Sequence, residues 1–231
     1  MSTTTVPPLA GVSGRRALAV AGPAYVAAWL IGLVTAPSAP SPDAADVTVQ
    51  RFYADNGAAP LFQGTLVHGI AGIALAVFVV ALARRLAPAG AGSLHSVLVG
   101  AGLAAAAVSL LQYAMEIALN RVAAGDDVSA SATLFHAVNV ADTLKLVFLA
   151  VAIASATRLA AGAQALPRWV GVLGRLLPPV LVIGSAAFFV NSDGLSAVLE
   201  VSLVLLLLWV GAMTYAVTRG GRLRPPRGVA A

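Results

Sequence analysis

The chain has 231 residues, 59% hydrophobic and 10% charged, with no cysteine and a formal net charge of +5. A water-soluble domain carries about 25% charged residues, so composition excludes an ordinary soluble enzyme. The missing cysteine excludes disulfides, thiolate metal sites, a cysteine nucleophile and lipidation through a thiol.

Six apolar stretches, each about as long as a helix that crosses a ~30 Å hydrocarbon core, fill most of the chain. The expectation is an all-α, six-helix transmembrane bundle forming one domain over residues 15–219. Residues 1–14, polar with proline and glycine, are expected to be disordered. Arg15 and Arg16 precede the first span, 17–36. A charge followed by an apolar run also suits a signal peptide. This run is long for one, and Pro37-Ser38-Ala39-Pro40 is a poor cleavage site, so the segment reads as an uncleaved anchor.

The longest loop follows, stiffened by Pro37, Pro40 and Pro42. From Asp43 the pattern becomes helical, with Val49, Phe52 and Tyr53 on one face and Gly57 as a stop. It predicts a short amphipathic helix at the membrane surface, packed as a loop or poised as a lid over an outward pocket. Span two, 61–83, has Thr65, His68, Gly69 and Gly72 on one face and is closed by Arg84-Arg85. Its glycines allow close helix approach. Span three, 94–119, carries Ser109, Gln112 and Glu116 on one face. Gly100-Ala101-Gly102 within it reads as helix packing, and His95 as an interfacial residue at its end. Asp126-Asp127 sits in the next loop.

Span four, 133–156, reads TLFHAVNVADTLKLVFLAVAIASA and carries His136, Asn139, Asp142 and Lys145. An Asp or Lys at mid-membrane costs roughly 2.5–3.5 kcal/mol, and each large aliphatic or Phe returns about 0.3–0.6. The balance lies near zero, so the helix needs neighbours or an i,i+3 pair between Asp142 and Lys145. Steps of three residues drift about 60° each on a helix. The polar set winds half-way round, which predicts protein on more than one side. Span five, 169–190, holds Arg175 and Pro178-Pro179. The prolines are expected to kink it and free carbonyls near Gly174 and Arg175. Asn191-Ser192-Asp193-Gly194 reads as a tight turn. Span six, 195–217, is the most apolar but contains Glu200. The basic tail, 220–231, is expected to be disordered and to touch anionic lipid as a topology anchor. No repeat with a period of 20–50 residues is visible.

Six spans put both termini on one side. With the amino terminus inside, Arg15, Arg16, Arg84, Arg85, Arg158, Arg168, Arg219, Arg222, Arg224 and Arg227 are cytoplasmic, and only Arg51 and Arg121 fall outside. The positive-inside rule selects that N-in/C-in orientation. Thirteen arginines against one lysine, with abundant alanine, suit a GC-rich bacterial source and hence an inner membrane. The placement of charge argues for the lipid bilayer as partner and against nucleic acid.

At 1.5 Å per residue, Glu116 and His136 lie about 4–5 Å below the outer boundary and Glu200 about 7 Å. By the same rise His68 and Gln112 lie about 10 Å deep, Asp142 about 13 Å and Lys145 about 18 Å. Polar residues of spans two, three, four and six thus share the outer leaflet, which predicts an outward-facing polar cluster. Four chemistries suit it. One is a hydrogen-bond and ion-pair network that holds the bundle together. A second is a ligand or proton pathway of a transporter, using Asp142, Lys145, Glu200, Glu116, His68, His136, Asn139 and Gln112. A third is a zinc or iron site from His68, His136 and Glu116, with hydrolysis by metal-bound water. The fourth is haem held by His68 and His136. No HxxxH or ExxH spacing supports a metal, so none is expected, and no other cofactor. No phosphate loop, GxSxG elbow or HExxH occurs, so an enzyme is the less favoured class. A structural or small-ligand role for the cluster leads, with a proton- or solute-coupled transporter as the alternative.

The segment VQRFYADNGAAPLFQGTLVHGIAGIALAVFVVALARRL, with Phe52-Tyr53-Ala54-Asp55 followed by a glycine-rich span ending at Arg85, resembles a family of actinobacterial multi-pass membrane proteins of unknown function. The likeness covers about a third of the chain. It implies a six-helix integral membrane protein and brings no catalytic residues.

Overall fold

A computed structural model describes residues 10–35, 39–87, 92–163 and 166–219. These residues form helices α1 (Ala10–Thr35), α2 (Asp46–Asn56), α3 (Ala58–Gly64), α4 (Ala71–Leu86), α5 (Gly92–Ala124), α6 (Val128–Gly162), α7 (Arg168–Gly184) and α8 (Asp193–Arg219). A π-helical segment, Thr65–Ile70, joins α3 to α4 in one continuous rod. Six rods are long and apolar enough to cross a membrane: α1, α3–α4, α5, α6, α7 with its following turn, and α8. The architecture is all-α and suits a multi-pass membrane protein. α2 is the short helix foreseen in the first long loop.

Residues 1–9 and 220–231, both expected to be disordered, lie outside the described residues. α1 begins at Ala10, so residues 10–14 belong to the helix and not to a disordered leader. No proline opposes helix between Ala10 and Pro23, and the helix runs on past Arg15-Arg16. At the other connections local chemistry sets the breaks. Asp126 turns the chain with φ 60°, and Asp127 caps α6 by accepting from the Ala130 N–H at 2.9 Å. Gly57, with φ 28°, ends α2, a conformation that suits glycine.

The rods form a ring. α1 packs on α4, α4 on α5, α5 on α6, α6 on α7 and α7 on α8, and α8 returns to α1. Leu18, Leu82, Leu98, Ile153, Leu206 and Met213 fill its interior. Close seams use missing side chains. A Cβ on Gly102 would meet Val79, and one on Gly22 would meet Thr214. α7 runs through Pro178 and Pro179 without a break. The carbonyl freed at Gly174 instead accepts from Thr157 Oγ1 on α6 at 3.4 Å.

One end of the ring carries Arg84, Arg85, Arg158, Arg168 and Arg219 at helix termini. The other end is acidic and laced together. Asn191 Nδ2 donates to both carboxylate oxygens of Asp43 at 3.0 Å. Gln50 Nε2 on α2 donates to Ala123 O at 2.8 Å and to Asp126 Oδ1 at 3.2 Å. Val49 and Tyr53 of α2 bury themselves against Leu119, Ala123 and Phe135 of α5 and α6. α2 therefore lies across the acidic mouth of the ring.

Candidate functional site: a buried charge chain

α6 turns Phe135, Val138, Ala141, Lys145 and Leu149 inward, a run at helical spacing. Lys145 is the only lysine of the chain and is 2% exposed. Its Nζ lies 2.5 Å from Asp142 Oδ1, one turn back on the same helix. It also lies 3.2 Å from His68 Nδ1, across on the π segment, and 5.7 Å from the centre of the Trp29 ring on α1, within cation–π range. His68 Nε2 in turn lies 3.3 Å from Glu116 Oε1 on α5. Asp142, Lys145, His68 and Glu116 thus form one unbroken polar chain across three rods, with Trp29 of a fourth above the ammonium.

Donor logic sets the proton on the imidazole. An ammonium only donates, so His68 Nδ1 accepts and Nε2–H donates to Glu116. The ring is then uncharged, and two carboxylates face one ammonium. Glu116 Oε2 is the open end: it is buried and has no hydrogen-bond partner. The α3 backbone presses against this carboxylate, because a Cβ on Gly64 would collide with Oε2. Gly69 and Gly72 continue the seam against Tyr113 and Ser109 of α5.

The π segment places His68. Ser109 Oγ donates to the His68 carbonyl at 3.1 Å, and Thr65 Oγ1 donates to Leu61 O at 2.8 Å and accepts from Tyr113 Oη at 3.2 Å. Single π turns inside helices occur often at functional sites. Gln112 is fully buried between α5 and α6, with Nε2 donating to Val138 O at 3.2 Å. Its side chain also approaches the Asp142 carboxylate, and its Oε1 is unpaired. Tyr53 of α2 covers the chain from the acidic end. Burial, then the nearby charges of Glu116 and Asp142, push its phenol above the ordinary tyrosine range.

Two predicted members stand apart. Glu200 is exposed. The buried face of α8 carries Ser202, Leu206, Trp209 and Met213, and a residue two before Ser202 lies about 200° round the helix. His136 is also exposed, one residue past the inward Phe135. The cluster therefore draws on spans two, three and four, and not on six. Asn139 is half-buried beside Val138, with an unpaired Nδ2. Among the described residues no three His, Cys, Asp or Glu side chains could hold a metal ion together, which removes the His68–His136–Glu116 site. Of the two histidines weighed for haem, His136 is exposed and His68 has both ring nitrogens engaged, by Lys145 and Glu116. His95 caps a seam: its Nε2 lies 3.2 Å from Ala83 O.

Trp29 and the π turn gave no sequence signal as parts of the site. Tyr53 was visible only as one apolar residue of an amphipathic face. Below the chain, towards the arginine end, the ring closes with apolar side chains. Tyr25, Leu75, Phe78, Leu149 and Leu206 border a void of about 20 Å³. Comparison with protein-family models, with curated proteins and with solved structures finds no match.

Proposed function

We propose that this protein is a bacterial inner-membrane protein, N-in/C-in, whose Asp142–Lys145–His68–Glu116 chain binds a small cation, a proton or an alkali ion, from the acidic side. The observation that carries the reading is the buried, unpartnered Glu116 Oε2 at the end of a chain that joins two carboxyl groups, one imidazole and one amine. A purely structural network gains most when its charges balance. This one leaves a buried carboxyl oxygen without a partner. The orientation rests on the arginine count, and the family resemblance over Val49–Leu86 agrees with it in architecture.

A proton- or solute-coupled transporter is the second reading. A polar chain covered on one side by a short helix and shut on the other by an apolar layer suits one half of an alternating-access cycle. Thermal unfolding of the purified protein tests cation binding. The melting temperature of wild type is expected to respond to pH and to Na⁺ against choline, because a ligand of the folded state stabilises by mass action. Glu116→Gln is expected to flatten both responses. Identical responses in wild type and Glu116→Gln would leave only a structural tie. Single cysteines placed at Asp127 and at Arg84 in this cysteine-free chain test orientation by labelling with an impermeant maleimide. Labelling of position 84 alone from outside would reverse it.

A further inference from the structure

We infer that the α1–α4 face holds one acyl chain of an anionic phospholipid, with its phosphate at Arg84. Two open cavities run along this face. One, of about 320 Å³, is walled by Ala17, Ala21 and Ala24 of α1 and by Ile73 and Val77 of α4. The other, of about 380 Å³, is walled by Gly14, Ala17, Val77, Val80 and Arg84. Both touch Ala17 and Val77, so they meet as one groove. The small residues of α1 make its floor, and exposed Val20, Ile70 and Ile73 make apolar rims.

Length and charge choose the occupant. From Ile70 to Arg84 the groove covers 14 residues, about 21 Å of helix. One leaflet of hydrocarbon is about 15 Å deep. The groove thus runs from mid-membrane to the headgroup level and stops at a guanidinium. Arg84 is exposed, and the exposed Arg15 and Arg16 adjoin Gly14 and Ala17 in the chain. Arg84 forms no ion pair among the described residues. Basic positions between membrane helices suit phosphate headgroups. A second copy in the same membrane would bring its own arginine end against this one, like charge on like charge. A lipid anion supplies the opposite charge.

Native mass spectrometry of the detergent-purified protein tests this, with phosphatidylglycerol and phosphatidylcholine of equal chain length as probes. Wild type is expected to retain phosphatidylglycerol about five-fold better, the scale of one basic side chain at a membrane surface. Arg84→Gln is expected to bring the ratio near one, while Arg158→Gln, an equal charge loss elsewhere on the same end, keeps it. Ala17→Trp, which blocks the groove where the cavities meet, is expected to lower retention of both lipids. Equal retention by wild type, or an equal fall in the two arginine variants, would overturn the site. A wild-type dimer abolished by Ala17→Trp would put a second copy in the groove and overturn it too.

Discussion

The two halves of the ring solve the membrane problem in opposite ways. The arginine half is packed mainly by apolar side chains, among them Leu82, Leu98, Ile153 and Met213. Its buried hydroxyls at Ser155, Thr157 and Thr214 bond to helix carbonyls, and it buries no charged side chain among the described residues. The acidic half buries Lys145, His68 and Gln112 almost completely, and it needs a π turn, three glycines and an overlying helix to do so. Apolar packing in lipid gains little from the hydrophobic effect, since lipid is as apolar as leucine. The polar half therefore carries specificity. It sets which helices are neighbours and in what register, and its energetics depend on every partner being present.

The largest test of this contrast removes the one cation. Lys145→Met leaves Asp142 and Glu116 buried without compensation. Breaking a buried pair on one side costs about 3–5 kcal/mol, and chemical unfolding in detergent should show a loss of that size. Asp142→Asn added to Lys145→Met should recover most of it, because a neutral pair replaces a bare charge. If the double variant is as unstable as the single, the pair is not the element that holds the polar half.

The glycine seam comes next. Gly64→Ala places a methyl group against Glu116 Oε2, and overpacking of a tight contact costs about 1–3 kcal/mol. Gly100→Ala on α5 meets nothing within 4 Å and should be neutral or slightly stabilising, since alanine is the better helix former by roughly 0.5–1 kcal/mol. Equal effects at the two positions would mean that backbone approach to Glu116 is not tight.

A smaller effect belongs to the acidic mouth. Hydrogen bonds from Ser41 and then Asn191 hold the Asp43 carboxyl below the ordinary value of 3.8. Its folded pKa lies below its unfolded one, so the contribution is complete above about pH 4. It is lost as pH falls through the lowered value. Asn191→Ala should lower stability slightly at neutral pH, and the gap to wild type should close in acid. A gap that persists below the folded value would assign it to something other than the carboxylate.

Length and depth were legible in the chain, and azimuth was not. A rise of 1.5 Å per residue put Glu116, His68 and Asp142 in the outer half of the membrane and Lys145 just past its middle, and these four meet. The same arithmetic admitted Glu200 and His136, which sit at suitable depths but on outward faces. On a soluble helix polar residues mark the outer face. On α8 both faces are apolar, so nothing in residues 195–217 says which one the ring buries. The π turn was hidden for another reason. It coincides with Ser109 reaching the His68 carbonyl from α5, a tertiary contact with no local pattern. Trp29 joined the site in the same way, through an approach that α1 alone does not encode.

Glu200→Gln turns that blind spot into the smallest prediction. If the outward face of α8 is right, the carboxylate touches no member of the chain, and its loss should change stability by no more than about 0.5 kcal/mol. The cation and pH responses should match those of wild type, in contrast to Glu116→Gln. The two glutamates lie at similar depth below the same end of the ring, so depth cannot account for a difference between them. A Glu200→Gln variant that loses the cation response would mean that α8 rotates to bring this face into the ring. The six-helix ring would then have a second packing in which span six completes the site.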